Sequence, residues 1–189
     1  VSLKTKIIGL LLGLALAPIL KAADKFVTFN QEEGTLALTT TQQPNFSILC
    51  ADEEHKGVLM AVRNLQEDFF RVTNTRPYLK IGAKKQVDEG AQKLRILIGS
   101  LDKAPLIKQL VKAKKLDVRE LKGRNEKFII TTVTNPIEGV EGEVLLIAGS
   151  DKRGTIYGIY ELSCQIGISP WYWWADVPVE SHKEIYIKK

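Results

Sequence analysis

The stretch Val144-Leu-Leu-Ile-Ala-Gly149, Ser150-Asp-Lys-Arg-Gly-Thr155, Ile156-Tyr-Gly-Ile-Tyr-Glu-Leu-Ser-Cys-Gln-Ile166 decides the fold. Its first part is an unbroken apolar run, the pattern of a strand buried on both faces. The second is a polar turn in which Asp151 is placed to cap a helix and the glycines permit a tight bend. The third reads as a helix over Arg153–Ile166, closed by Gly167. Ile156, Tyr157, Ile159, Tyr160, Leu162, Cys164 and Ile166 leave that helix no clearly polar face. A helix apolar nearly all round needs cover on both sides. A sheet supplies one cover. The other, together with the aromatic run Trp171–Trp174 between Pro170 and Pro178, asks for a partner.

Working outward, Leu94–Gly99 is a second central-strand pattern, and Phe128–Val133 and Val144–Gly149 are strands across a turn region with Asn135, Pro136, Gly139 and Gly142. Val58, Val62, Leu65, Phe69 and Val72 form one helical stripe, with Arg63, Asn64, Glu67 and Asp68 off it. Asp52 is the expected N-cap of this helix, and Glu53 and Glu54 favour its N-terminus. Phe26–Phe29, Leu36–Thr40, Phe46–Cys50, Tyr78–Ile81 and Glu184–Ile187 read as further strands, and Pro105–Ala113 as a short helix. This interleaving predicts an α/β (α+β) fold, a two-layer sandwich of a mixed β-sheet with helices on one face. No internal repeat, low-complexity linker or second domain is visible.

Residues 1–22 read as a secretory signal peptide. Lys4 and Lys6 precede an apolar run from Ile7 to Leu20, followed by Ala22 and Ala23. The expected organisation is therefore a signal over 1–22 and one α/β domain over 23–189. The expected destination is the periplasm or the extracellular space, without stable membrane anchoring once the signal is cleaved. Without the leader, 24 basic residues face 22 acidic ones, a formal charge of +2 instead of +5. That removes the compositional case for nucleic-acid binding. Cys50 and Cys164 are expected to be free, buried thiols, although export would permit a disulfide.

The turn Gly149–Thr155 nearly spells a P-loop, but Gly154 is followed directly by Thr155, and the lysine that reaches the phosphates is missing. A capped strand–helix turn is the better reading. The aromatic run suggests sugar stacking or packing at a domain junction, with junction packing favoured. Only two histidines are present, no Gly-x-Ser-x-Gly elbow occurs, and no spacing suggests a metal site. Glu53/Glu54 and Asp176/Glu180 can be drawn as glycosidase pairs, yet sequence fixes no separation between them. The Lys- and Arg-rich stretch from Lys112 to Lys127 is interrupted by acids and reads as a solvated surface.

The run Ala148-Gly-Ser-Asp-Lys-Arg-Gly-Thr-Ile-Tyr-Gly-Ile-Tyr-Glu-Leu-Ser163, followed by Gln165-Ile-Gly-Ile-Ser-Pro-Trp-Tyr-Trp-Trp-Ala-Asp-Val-Pro178, resembles the end of the N-terminal domain of glycoside hydrolase family 115. The turn and helix are similar, more distantly, to accessory domains of β-hexosaminidases and family 67 α-glucuronidases. An acidic residue usually follows the Tyr-Glu-Leu-Ser segment, and Cys164 stands there instead. The resemblance implies an N-terminal accessory domain ahead of a catalytic TIM barrel expected after residue 189. It further implies removal of α-1,2-linked (4-O-methyl)glucuronate from xylan, with inversion and no cofactor. The family's catalytic carboxylates belong to the barrel, so this chain carries none and is expected to be inactive alone. The implied partners are the chain's own downstream domain and, through it, xylan or glucuronoxylan fragments. Ser150, Asp151, Lys152, Arg153, Trp171, Trp173, Trp174 and Asp176 are the candidates for a junction or substrate-proximal role. A free-standing carbohydrate-binding module and an exported subunit-docking domain are the alternatives.

Overall fold

The computed structural model describes residues 25–82 and 93–189. The expected signal segment, 1–22, lies outside the described residues. In chain order the elements are β1 (Val27–Thr28), β2 (Leu36–Thr39), β3 (Ser47–Cys50), α1 (Lys56–Thr73), β4 (Tyr78–Ile81), β5 (Leu94–Ser100), α2 (Pro105–Lys112), β6 (Phe128–Thr134), β7 (Glu143–Gly149), α3 (Lys152–Gln165), α4 (Tyr172–Ala175) and β8 (Ile185–Ile187). The main sheet has the order β4-β3-β5-β7-β6. Its strands are parallel except for β6, which pairs antiparallel with β7 at the edge. A small antiparallel sheet, β1-β8-β2, joins the two ends of the described chain. The mixed α/β sandwich expected from the sequence is the observed architecture.

Strand alternation sorts the core into two faces. Ile48, Cys50, Ile96, Ile98, Leu145 and Ile147 pack against α1, α3 and the small sheet. Leu49, Leu97 and Leu146 point the other way and meet Leu106, Ile107 and Leu110 of α2. The expectation of helices on one face thus describes α1 and α3, while the short α2 and the loop after it cover the opposite face. The physical reason is that central parallel strands are apolar on both faces, and both need cover.

The α1 stripe is as read, with one correction. Asp68 was placed off the stripe but is buried beside Phe69. The cap also differs. His55 occupies the N-cap position and makes no side-chain cap, while Asp52 is exposed. Glu54, the third acid in the row, is drawn inward instead. Its Oε1 accepts from Ser100 N at 2.6 Å and Ser100 Oγ at 2.8 Å. A partner distant in sequence therefore chooses which acid is buried.

In α3, Asp151 is the N-cap as expected, and Gly167 (φ 113°) turns the chain out of the helix. α3 lies so close to the sheet that its glycines have no room for a side chain. A Cβ on Gly154 would fall 2.1 Å from the Lys127 carbonyl oxygen, and one on Gly158 would fall 2.8 Å from Ile147 Cγ2. On Gly57, by contrast, a Cβ would meet only the tip of Ile156 at 3.3 Å.

Gly→Ala inside an ordinary helix gains about 1 kcal/mol. At Gly158 the sign should reverse, with a loss of about 1–3 kcal/mol from overpacking. Gly154→Ala, which would meet backbone, should be the worse of the two. Gly57→Ala should stay within about 1 kcal/mol of the parent or gain. Urea-unfolding midpoints of the three variants check this ordering, and stabilisation by Gly158→Ala would contradict the close seat of α3.

Candidate functional site

Two groups of polar residues stand out, and the sequence candidates divide between them. The first lies at the C-terminal edge of the main sheet. From β3 the chain passes through α1 on one face, and from β5 through α2 on the other, so a switch point lies between their ends. Glu54 and His55 follow β3, Ser100 ends β5 with Asp102 just beyond it, and Ser150–Arg153 follow β7. His55 Nε2 lies 3.0 Å from Asp102 Oδ2. Burial alone would raise the Asp102 carboxyl, but hydrogen bonding from Ser100 and His55 outweighs it and holds the group below the usual range. Ser100 is fully buried, and its hydroxyl is taken up by the carboxylates around it, donating to Glu54 Oε1 at 2.8 Å and lying close enough to Asp102 to favour its charged form. A serine in that position is no accessible nucleophile. Chemically the cluster is a latch that ties the end of β3 to the end of β5.

The turn after β7 is similarly occupied. Ser150 Oγ accepts from Lys127 N at 3.1 Å, and Ser150 N donates to the Lys127 carbonyl at 2.8 Å. Asp151 Oδ1 accepts from Gly154 N at 2.8 Å and Oδ2 from Glu126 N at 2.9 Å. Those backbone donors, led by Gly154 N, hold the Asp151 carboxyl below its ordinary value. Arg153 Nη1 donates to Glu126 Oε1 at 2.6 Å, raising the guanidinium further, and both side chains are solvent-exposed. Lys152 is exposed. The carboxylate of this turn fills the place that a phosphate takes in a P-loop, so the capped-turn reading holds.

The second group lies on the outer face of the helix layer. α1 follows β3 and α3 follows β7, two strands that run in the same direction, so the two helices run parallel to each other. Asn64 Nδ2 donates to Tyr160 Oη at 2.9 Å, joining the two outer surfaces. Toward the helix C-termini a cavity of about 590 Å³ opens, with Asp68, Arg71 and Ser163 among its lining residues and Ile168 and Pro170 beside them. Arg71 Nη1 donates to Asp68 Oδ1 at 2.8 Å, and its guanidinium sits 5.4 Å from the centroid of the Tyr172 ring. Burial pushes the Asp68 carboxyl up, against the opposing pull of Ser163 and Arg71.

Of the aromatic candidates, Trp171 is 66% exposed and precedes the one-turn α4 that contains Trp173 and Trp174. Asp176 is exposed and ends α4 in a left-handed conformation, φ 47°. The two candidate groups, Ser150–Arg153 and Trp171–Asp176, flank opposite ends of α3 and do not form one site. Sequence reasoning missed Asp68 and Ser163. The available signal was a carboxylate adjacent to Phe69 on an otherwise apolar stripe. The cysteines also need correction: both are free, Cys50 buried as expected, but Cys164 exposed on the outer face of α3. Burial drives the Cys50 thiol up to about 12, which makes it inert at neutral pH. Among the described residues no cluster of three or more His, Cys, Asp or Glu is arranged to hold a metal, and no helix is long and apolar enough to cross a membrane.

No protein-family model matches the chain, and no curated protein matches it. Among solved structures it is similar to BtGH115A, a family GH115 4-O-methyl-α-glucuronidase with specificity for decorated arabinogalactans. The match has 27% identity and a TM-score of 0.60 and covers 78% of this chain but 16% of that one. The chain is therefore related to a glycoside hydrolase of family 115, and it spans about a sixth of that relative's length. CpGH84D matches over 93% of this chain and 23% of its own, at 10% identity and a TM-score of 0.47, too low to support argument.

The cap at Asp151 has a distinct pH signature. Its folded carboxyl lies below the unfolded value, so its stabilisation is complete above about pH 4 and lost as pH falls through the lowered value. Asp151→Ala should cost about 1 kcal/mol at neutral pH, and Asp151→Asn much less because the acceptor is kept. The advantage of the parent over Asp151→Asn should vanish in acid. Denaturant unfolding from pH 7 to pH 3 measures it, and a difference independent of pH would refute the charged cap.

Proposed function

We propose that this chain is the N-terminal accessory domain of an exported 4-O-methyl-α-glucuronidase and that the outer face of α1 and α3 docks the catalytic domain. The observation that carries the reading is the match to BtGH115A, which takes in most of this chain and only a small part of the enzyme. The surface supports it. Met60 on α1, Tyr157 and Tyr160 on α3, and Trp171 beyond α3 are exposed at 59%, 45%, 44% and 66%. Met60, Asn64, Glu67 and Arg71 recur along α1, and Arg153, Tyr157, Tyr160 and Cys164 along α3, at the spacing of one helical face. Large apolar groups gathered on one face mark an interaction surface.

On this reading the domain does no chemistry. The uronide cleaved is 4-O-methylglucuronate or glucuronate, linked α-1,2 to xylan. The specificity of BtGH115A for decorated arabinogalactans supports a second glycan backbone for the complete enzyme. Trp171 at the rim and Arg153 at the N-terminal end of α3 are junction residues.

The purified chain should release no 4-O-methylglucuronate from glucuronoxylan or arabinogalactan. Measurable release would overturn the accessory reading. It should bind an apolar-surface dye, and Met60→Lys combined with Tyr157→Lys should lower that fluorescence several-fold. Unchanged fluorescence with the fold intact would remove the docking face from the proposal. The gene should continue in frame beyond Lys189 into a barrel domain, and a stop codon there in an intact genome would count decisively against it.

A further inference from the structure

The cavity between α1, α3 and the segment after α3 contains more than an apolar dock requires. Asp68 and Ser163, 6% and 3% exposed, lie on its inner wall. Arg71 engages one oxygen of Asp68. A carboxylate has about four acceptor positions, so capacity remains for a donor arriving from the cavity. Ser163 Oγ is a buried hydroxyl with no hydrogen-bond partner among the described residues. It lies close enough to favour the charged form of Asp68, but outside hydrogen-bond geometry. Burial still dominates at Asp68, so the isolated domain keeps an acid where the charged form is disfavoured. Buried polar groups in native proteins are nearly always satisfied, and an exception calls for a missing partner.

The electrostatics select that partner. Glu67 and Asp68 line the cavity with Arg71 as the one cation among the described residues that line it, and Arg76 pairs with Glu67. An anion would face two carboxylates. A cation on an apolar stem would meet Asp68 and Ser163 with its head, and Ile168 and Pro170 with its stem. A planar guanidinium carries several donors in a fixed fork and suits a carboxylate beside a hydroxyl acceptor better than a compact ammonium does.

We propose that this cavity is a socket for an arginine side chain presented by the protein surface that docks on α1 and α3. The inference rests on the docking reading above. The apolar rim supplies contact area, and the socket fixes the register of the docked surface.

The test uses the complete chain, labelled with ¹⁵N, titrated with N-acetyl-arginine amide, its uncharged isostere N-acetyl-citrulline amide, and D-xylose. Arginine amide should shift the backbone amides of Asp68, Ser163 and Ile168 and bind at least about 10-fold tighter than the citrulline amide. Asp68→Asn keeps the shape of the side chain and relieves its buried charge, so it should fold and lose the discrimination. Ser163→Ala should weaken arginine binding with the fold intact. Equal binding of the two amides, no perturbation by either, or discrimination that survives Asp68→Asn would overturn the socket. A saturable response to xylose centred on the same amides would assign the cavity to a glycan instead. The dye and glycan-release measurements do not depend on Asp68, so failure of the socket is distinguishable from failure of the docking face.

Discussion

The seat of α3 on the sheet is the constraint from which the rest follows. Gly154 lies beneath the Lys127 carbonyl and Gly158 against Ile147, so the helix backbone approaches the sheet more closely than any side chain would allow. Asp151 pins the start of the helix to Gly154 and to the Glu126 amide, and Ser150 holds the entry of β6. With the backbone height set, Ile159, Leu162 and Ile166 enter the core beside the α1 stripe. The opposite flank, with Tyr157, Tyr160 and Cys164, is then forced outward at the level of α1. Exposure of that face is a consequence of packing on the other side and not a local accident.

Much of this was legible because the controlling signals are local. The apolar runs at Leu94–Gly99 and Val144–Gly149 name central strands, and Asp151 and Gly167 bracket α3 by capping chemistry alone. What was not legible depends on partners distant in sequence. Nothing in Asp52-Glu-Glu54 reveals which acid turns inward, because the deciding donor is Ser100, 46 residues away. Asp68 was assigned to the polar face on its charge. Helical geometry places it three residues after Leu65 and four before Val72, on the buried side of α1, where it lines the cavity shared with Ser163 and Ile168. Cys164 was assigned to the interior on its chemistry, and the α3 stripe carries it outward.

The candidate site shows the same division. The polar turn at Ser150–Arg153 was readable as a capped turn because the capped amide, Gly154 N, lies three residues from Asp151, while its partners Glu126 and Lys127 lie across the β6–β7 hairpin. The cavity was not readable. One wall comes from α1 and the other, about a hundred residues later, from α3 and the adjoining chain around Pro170, and nothing in the α1 wall marks the two as partners. The residues that looked most like a site turned out to be the best satisfied. The residues left with capacity for a partner looked like ordinary helix.

That inversion has an energetic basis. A turn that must hold a helix against a sheet uses up its donors and acceptors in doing so, as Asp151 does with two backbone amides. A surface that waits for a partner has the opposite requirement: its groups stay incompletely paired in the isolated domain. Apolar exposure at Met60 and Tyr157 is tolerable because contact with water merely forgoes a gain. A buried acid beside an unpartnered hydroxyl is a direct cost, and it can be offset only by a complementary donor. Apolar area is non-directional and would accept the docked surface in many registers. The Asp68–Ser163 floor would penalise every register that brings it no donor beyond Arg71. On the docking reading, the apolar face supplies affinity and the small polar floor supplies orientation, and α3 can present both because its glycines hold it rigidly against the sheet.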